Sequence, residues 1–561
     1  MPASKSTASS ERRAAPEGGR NPVTLAVLAS LWLASVCNWP LWRALLGLPE
    51  MHSLRGSVFM LSLGLMIAAL VTVVLAALAW RHSIKPAIAM LVLAAAFGAH
   101  FMGSYGVVID PTMMVNVLNT DVHETRDLLN LRLLVGVAVL AGVPLLFLWR
   151  TRVADAPMAA QAVRNAVALV TALTLLVSLA VLSFADLSST MRNHKSLRYM
   201  INPANSFYAL GRLAVQAQAR PVGPPVAIGT DARLLPQPAG ARPPLLMLVI
   251  GETARADHFS ANGYARPTNA ETAPLGLVSF RDVTSCGTNT AASLPCMFSH
   301  LGRDGFLARE EEYENLLDLL QRAGLAVLWV DNQSSCKGLC LRVANAMARD
   351  APPGTRHADG LCDGDECLDE ALLTGLDQRL AALPEAQRAR GVVLVMHQMG
   401  SHGPAYYKRS PPQRKPFLPE CSTNVLQQCS RDQLVNAFDN SIAYTDHVLA
   451  RAVGWLNAQQ ASHAPALLYV SDHGESLGEN NLYLHGMPWA VAPREQKHVP
   501  MLMWLPAQTE ARLGVRTDCL RTRQNVPLTH DNLFHTVMGL VGVTSAEYRA
   551  PLDVLQPCRA Q

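Results

Sequence analysis

Glu252, His397, His402, Asp472, His473 and His485 are the residues of this 561-residue chain whose types and placement first suggest chemistry. Three apolar runs each give way to such a residue. "LLMLVIG" is followed by Glu252, "GVVLVM" by His397 with His402 five positions on, and "ALLYVS" by Asp472 and His473. His485 returns a dozen residues later, in "LHGMP". Carboxylate and imidazole together suit zinc or a similar divalent cation. Such an ion is a Lewis acid and lowers the pKa of a coordinated nucleophile. The nucleophile candidate lies in "SCGTNTAASLPCMFS", where Thr290 falls near a helix N-terminus whose free N–H groups favour an anion. The same position suits a helix N-cap, and the segment alone leaves both roles open.

The elements that must position these residues are legible as continuous apolar runs: "LLMLVIG", "LAVLWVD", "GVVLVMH", "ALLYVSD" and "VPMLMWL". None alternates, as expected for strands covered on both faces, and the segments between them are long enough for crossover helices. A mostly parallel α/β sheet follows. Open sheets of this kind build their sites at the carboxyl ends of strands, which predicts that the polar strand ends converge on one crevice.

The length exceeds what one core can organise. A net charge of +4 without a long basic tract argues against a nucleic-acid partner. Five apolar stretches of spanning length, at 23–46, 57–80, 84–106, 131–149 and 162–184, precede the α/β pattern. Lys5, Arg12, Arg13 and Arg20 in the tail, Arg81 and Lys85 after the second span, and Arg150, Arg152 and Arg164 after the fourth form one basic set. The loop from 107 to 130 is acidic, with Asp110, Asp121, Glu124 and Asp127 against Arg126. Basic loops stay in the cytoplasm, so the tail is cytoplasmic and an odd number of spans delivers the rest outside. The expected organisation is a tail at 1–22, a transmembrane domain at 23–184, a bridging helix and linker at 185–243, and an external catalytic domain at 244–561. Residues 185–216 suit either a helix along the membrane surface or an amphipathic helix of the external domain. The Pro- and Gly-rich stretch after them reads as the linker.

Cysteine usage tests the orientation independently. Ten of the eleven cysteines lie beyond residue 280. Cys286 falls close to Cys296, Cys336 to Cys340, Cys362 to Cys367 and Cys421 to Cys429, with Cys519 and Cys558 completing an even set. The pairs lack the C-x-x-C repeat of a zinc site and suit disulfides in an oxidising compartment.

Four blocks carry a resemblance. "GETARADHFSANGYARPTN", "SCGTNTAASLPCMFS", "HQMGSHGPAYYKR" and "SDHGESLGENNLYLHGMP" resemble the signature blocks of the membrane-bound phosphoethanolamine transferases that modify lipid A, the family of the transferable colistin-resistance enzymes. The resemblance implies an alkaline-phosphatase/sulfatase fold for the external domain and one or two zinc ions. It gives Glu252, Thr290, Asp472 and His473 as metal ligands, with Thr290 the residue that carries phosphoethanolamine covalently. His397, His402 and His485 would line the same pocket, His485 binding substrate phosphate or a second metal. Lys337 in "DNQSSCKGLC" either reaches the phosphate or is a solvated loop residue. "DPTMMVNVLNTDVHET" resembles the family's first large external loop, so Asn116 and Glu124 either hold the donor lipid or are ordinary loop residues. The implied reaction is ping-pong transfer from phosphatidylethanolamine to a lipid A phosphate at the bacterial inner membrane, with the catalytic domain in the periplasm and polymyxin resistance as the outcome. Transfer to core sugar or a glucan stays open. A hydrolase of the same fold is disfavoured, because a C-x-P-S-R sulfatase block is missing and five spans are superfluous for a soluble substrate.

Overall fold

The computed structural model describes residues 19–118, 122–219, 223–237, 240–333 and 335–559. Lys5, Arg12, Arg13 and Asp121 lie outside the described residues, as does the side chain of Glu124. Two compact units emerge: residues up to Gly103 together with Leu131–Phe207, and Ser104–Asn130 together with Tyr208–Gln561.

The first unit is helical. Five helices, Pro22–Leu46, Leu54–Ala77, Ile84–Tyr105, Leu131–Arg150 and Met158–Leu182, are long and apolar enough to cross a membrane, the third ending just past the unit's boundary. The second begins earlier than the apolar run at 57–80 suggests, because the Ser53 side chain caps it by accepting the Gly56 N–H at 3.0 Å. The fourth loosens into a π turn at Ala138–Gly142 immediately before Pro144, whose missing N–H breaks the regular ladder. Arg20 donates its N–H to the Arg152 carbonyl at 2.8 Å, and Arg81 pairs with Asp155. The end of the tail and the two basic loops therefore share one side, as the charge rule requires.

The second unit is built on an eight-stranded sheet. In chain order its strands are β1 Pro244–Gly251, β2 Val278–Thr284, β3 Ala326–Asp331, β4 Ala344–Met347, β5 Val392–His397, β6 Ala464–Ser471, β7 His498–Trp504 and β8 Leu528–Thr529. Their order across the sheet is β8-β2-β7-β6-β1-β5-β3-β4. β7 runs antiparallel to β2 and β6, and the other pairings are parallel. The unbroken apolar run of β1 is explained by its two faces. Leu246, Leu248 and Ile250 enter a core that includes Phe534, Val537 and Met538, whereas Leu245, Met247 and Val249 enter one that includes Phe438, Ile442 and Leu449. The second face is covered by the 28-residue helix Arg431–Ala458, started by a capping box between Ser430 and Gln433.

Five disulfides form in this unit. Cys286 is bonded to Cys296, Cys336 to Cys340, Cys362 to Cys367, Cys421 to Cys429, and Cys519 to Cys558. Their work is structural rather than metal-binding. Cys336 and Cys340 bury their bridge in the first of the two cores, where it closes the loop after β3. Cys362 and Cys367 face each other across a small antiparallel hairpin. Cys429 stands two residues before the long helix, and its bridge to Cys421 ties the preceding loop to the helix start, where the Cys421 N–H also donates to the Gln433 carbonyl at 2.8 Å.

Two boundaries differ from the sequence expectation. The loop at 107–130 forms the helices Pro111–Leu118 and Val122–Leu128 and groups with the unit built on the sheet rather than with the spans. Asp127 explains this: it pairs with Lys408 and, at 3.2 Å, with Arg409, while its carbonyl accepts Asn424 Nδ2 at 2.6 Å. The expected linker is also partly structured. Arg233–Leu234 pairs antiparallel with Val543–Thr544, since even a Pro-rich segment satisfies its backbone where an open edge meets it. The bridging residues form Phe184–Asn193 and Ala204–Ala219, and the boundary between units falls after Phe207.

Candidate active site

β1 and β6 are parallel neighbours with Gly251 opposite Ser471, so Glu252 and Asp472 leave the sheet side by side. Glu252, Asp472 and His473 are fully buried, and one potential ligand atom from each lies within 4.8 Å of the others. His473 Nε2 is 3.1 Å from Glu252 Oε1 and 3.5 Å from Asp472 Oδ2. Asp472 Oδ1 accepts the backbone N–H groups of His473, at 2.7 Å, and Thr253, at 3.3 Å. Its Oδ2 has no hydrogen-bond partner among the described residues. His473 Nδ1 faces the Gly474 carbonyl at 2.9 Å and must donate to it, which turns the Nε2 lone pair toward the two carboxylates. A buried imidazole and two carboxylates converging as acceptors, one oxygen unpartnered, fit a divalent cation.

The electrostatics agree with that geometry. Burial and the neighbouring Glu252 charge push the Asp472 carboxyl up to about 7, against the pull of His473. Burial disfavours the charged form of His473, yet Asp472 and Glu252 carry it up to about 10. Glu252 is also raised by burial, but His473 overrides this and holds it well below the usual carboxylate range. A cluster that draws a proton this strongly has more acceptors than positive charge to serve them.

Thr290 is the first residue of the helix Thr290–Met297. The cap is Asn289, whose side chain accepts the Ala292 N–H at 2.9 Å. This excludes the N-cap role for Thr290 and leaves its hydroxyl for the site. Thr290 Oγ1 lies 3.0 and 3.2 Å from the two Glu252 oxygens and 3.4 Å from His473 Nε2. The Cys286–Cys296 bridge closes the loop that carries it.

The histidines sit around this group. His397 ends β5, opposite Ile250 of β1 and Asp331 of β3. Its Nδ1 is 3.1 Å from Asp331 Oδ1, and its buried Nε2 has no partner among the described residues. The ring of His485 lies 4.4 Å from that of His473 and 5.5 Å from that of His402. Burial, with the nearby His473, pushes His485 down to about 3. The loop bearing His402 is pinned by Asp369, which accepts the N–H groups of Met399 and Gly400 at 2.7 and 2.8 Å. Gly400 has φ +53°, and a Cβ there would lie 2.6 Å from the Glu252 carbonyl oxygen, so glycine is required for the loop to cross so closely.

Lys337, at φ 47°, lines a cleft with Pro295, Ser299 and Glu312, and none of the four expected metal ligands lines it. Asn116 lies on the helix Pro111–Leu118, which packs against Thr290–Met297. From the same helix Met113 lies over Gly486, next to His485, so close that a Cβ at Gly486 would meet its Cε at 2.2 Å. Glu124 belongs to the helix Val122–Leu128.

Two site neighbours escape the sequence reading. Gln333 Nε2 donates to Glu252 Oε2 at 2.9 Å, and Glu475 lies 3.5 Å from His485 Nδ1 with one oxygen unpartnered among the described residues. Glu475 carried a usable signal, two residues beyond His473 in the same block; Gln333, in a loop, carried none.

The chain also matches known proteins. The Sulfatase family model matches residues 244–543, and that of Phosphoethanolamine transferase EptA/EptB matches residues 67–218. Phosphoethanolamine transferase EptA of Salmonella typhimurium is 38% identical over 548 residues, covering 95% of this chain and 96% of that protein. Phosphatidylethanolamine transferase Mcr-1 of Escherichia coli is 39% identical over 474 residues, 83% of this chain and 85% of the relative. The solved integral membrane lipooligosaccharide phosphoethanolamine transferase A of Neisseria meningitidis superposes with a TM-score of 0.88 at 31% identity, covering 97% of this chain and 99% of that one. The chain belongs to the EptA/EptB phosphoethanolamine transferase family, an enzyme with five membrane-spanning helices and a periplasmic catalytic domain of the sulfatase fold.

Proposed function

We propose that this enzyme moves phosphoethanolamine from phosphatidylethanolamine to a phosphate of lipid A through a covalent intermediate on Thr290. The observation that carries the reading is the Thr290 hydroxyl, free of any capping duty and held 3.0–3.4 Å from Glu252 and His473. Glu252, Asp472, His473 and Thr290 would hold the metal, which from this donor set is zinc. When bound it supplies Lewis acidity and favours the ionised hydroxyl.

The chain's own residues do the rest. The Thr290 hydroxyl gives up its proton to water as Oγ1 forms its bond to phosphorus and the bond to the diacylglycerol oxygen breaks. One of His397, His402 and His485 gives the leaving oxygen its proton. In the second half-reaction a lipid A phosphate oxygen attacks the phosphoethanolamine on Thr290, a diphosphate link forms, and the threonine is released. Charge on the phosphoryl oxygens is met by groups already fixed in place. Asn116, Glu124 and Lys337 are read as contacts to the donor lipid and its phosphate, supported for Asn116 by the packing of its helix on that of Thr290.

The product carries an added ammonium beside a phosphate with less negative charge, which weakens attraction of cationic peptides to the cell surface. Mass spectrometry of lipid A from cells with and without the enzyme tests the reading. Added phosphoethanolamine and raised polymyxin tolerance are expected together, and both should vanish in Thr290→Ala. Phosphoethanolamine found on core sugar or a glucan alone would overturn the acceptor.

A further inference from the structure

Behind the site, the last residue of β3 is a carboxylate that the transfer reaction as described does not use. Asp331 is 4% exposed and lies opposite His397, the last residue of the neighbouring parallel strand β5. Three groups meet it. Trp329 Nε1 donates to Oδ2 at 2.9 Å, the backbone N–H of Gln333 donates to Oδ1 at 2.7 Å, and His397 Nδ1 is 3.1 Å from Oδ1. A carboxylate oxygen is an acceptor, so Nδ1 is the end of the imidazole that bears hydrogen. The Trp329 ring, 5.4 Å from that of His397 and edge-on to it, walls the imidazole on one side. What remains is Nε2, fully buried and without a partner among the described residues.

Resting on the transferase reading above, we infer that Asp331 is a positioning residue that fixes His397 in one tautomer and one orientation, presenting Nε2 to the phosphoryl group in transit. The comparison with its neighbours favours His397 for this task. His485 has a carboxylate at only 3.5 Å, and that carboxylate, Glu475, keeps an oxygen unpartnered among the described residues. Asp331 is held by two donors before His397 arrives, so it cannot rotate without abandoning the indole or the backbone. A ring fixed in this way meets a developing charge without reorganising.

The test uses the full-length enzyme in detergent or nanodiscs, with phosphatidylethanolamine as donor. Asp331→Asn keeps the shape but can offer Nδ1 an amide N–H in place of an oxygen. The expected result is a fall in kcat of about 10- to 100-fold, by analogy with the loss of a partner that orients a metal-binding histidine. KM for the donor and bound metal per protein stay at wild-type values, and the pH profile of kcat is displaced. Trp329→Phe, which frees Oδ2 alone, gives a smaller fall with the same unchanged metal content, and serves if Asp331→Asn does not fold. Wild-type kcat in a folded Asp331→Asn or Trp329→Phe protein would overturn the inference, as would a loss of activity that tracks loss of metal. His397→Ala separates the two readings. An active His397→Ala enzyme removes His397 from the reaction, whereas an inactive one beside a fully active Asp331→Asn removes only the role given to Asp331.

Discussion

Both units bury polar side chains, and they use them in opposite ways. In the membrane unit, Asn38 and Asn202 are almost wholly enclosed, and their donors go to backbone carbonyls. Asn38 Nδ2 reaches Leu33 and Asn202, and Asn202 Nδ2 reaches Cys37 and Ala95, while the Asn202 N–H returns to Asn38 Oδ1 at 2.9 Å. In the catalytic unit, Glu252, Asp472 and the Nε2 face of His473 point acceptors at one another. The first pattern closes a fold, because neutral amide donors meet backbone carbonyls. The second costs stability until a cation supplies the missing positive charge. Buried polarity by itself therefore does not mark a site; the sign of what converges does.

The largest effect that could break this comparison is on turnover. Thr290→Ala and Glu252→Ala should reduce transfer to background while leaving the melting temperature of the metal-free protein unchanged or higher. The helix cap belongs to Asn289, so the substitution at Thr290 removes no cap. A purified, folded Thr290→Ala enzyme with wild-type turnover would remove the mechanism.

Next in size is the response to a chelator. Stripping the metal should abolish activity and lower the melting temperature, since a ligand bound to the folded state stabilises it by mass action. In Asp472→Asn, which lacks the unpartnered carboxylate oxygen, that chelator-induced shift should largely disappear. A full shift in the variant would mean that the ion stabilises the protein elsewhere.

The membrane unit should behave in reverse. Asn202→Ala should destabilise the protein by about 1–3 kcal/mol, the cost of leaving buried carbonyls unpaired, with activity per folded molecule retained. A large loss of turnover at unchanged stability would show that this polar cluster is functional after all.

The smallest effect concerns pH. His535 is pushed down from its ordinary value of 6.5 to about 4 by burial, with Arg549 and His300 adding to it, and its Nδ1 accepts the Arg549 N–H at 3.1 Å. The unfolded chain takes up a proton that the folded one resists, so stability falls as pH drops from about 6.5 toward 4. Thermal melts of His535→Gln should show a shallower decline across that window than wild type. Parallel slopes would assign the acid sensitivity to other groups.

The sequence by itself determined much of this protein. Long apolar spans can satisfy their backbones in lipid only as helices, so composition alone set the five helices. Unbroken runs such as "LLMLVIG" announced strands buried on both faces, and strand ends bearing Glu252, His397 and Asp472 announced a crevice. Short spacing likewise announced the bridges of Cys340 and Cys429 to their near neighbours. What the tertiary structure decided was which atoms meet. Asp331 ends "LAVLWVD" just as Asp472 follows "ALLYVS", yet pairing across the sheet puts one behind His397 and the other beside Glu252. Whether Thr290 caps its helix was open until Asn289 took that place, and the loop at 107–130 was expected to follow the spans that flank it until Asp127 found Lys408 and Arg409. Local patterning specifies an element and its faces, because propensity and burial act along the chain. Ligand geometry depends on residues hundreds of positions apart, and only the register of the sheet brings them within hydrogen-bond distance.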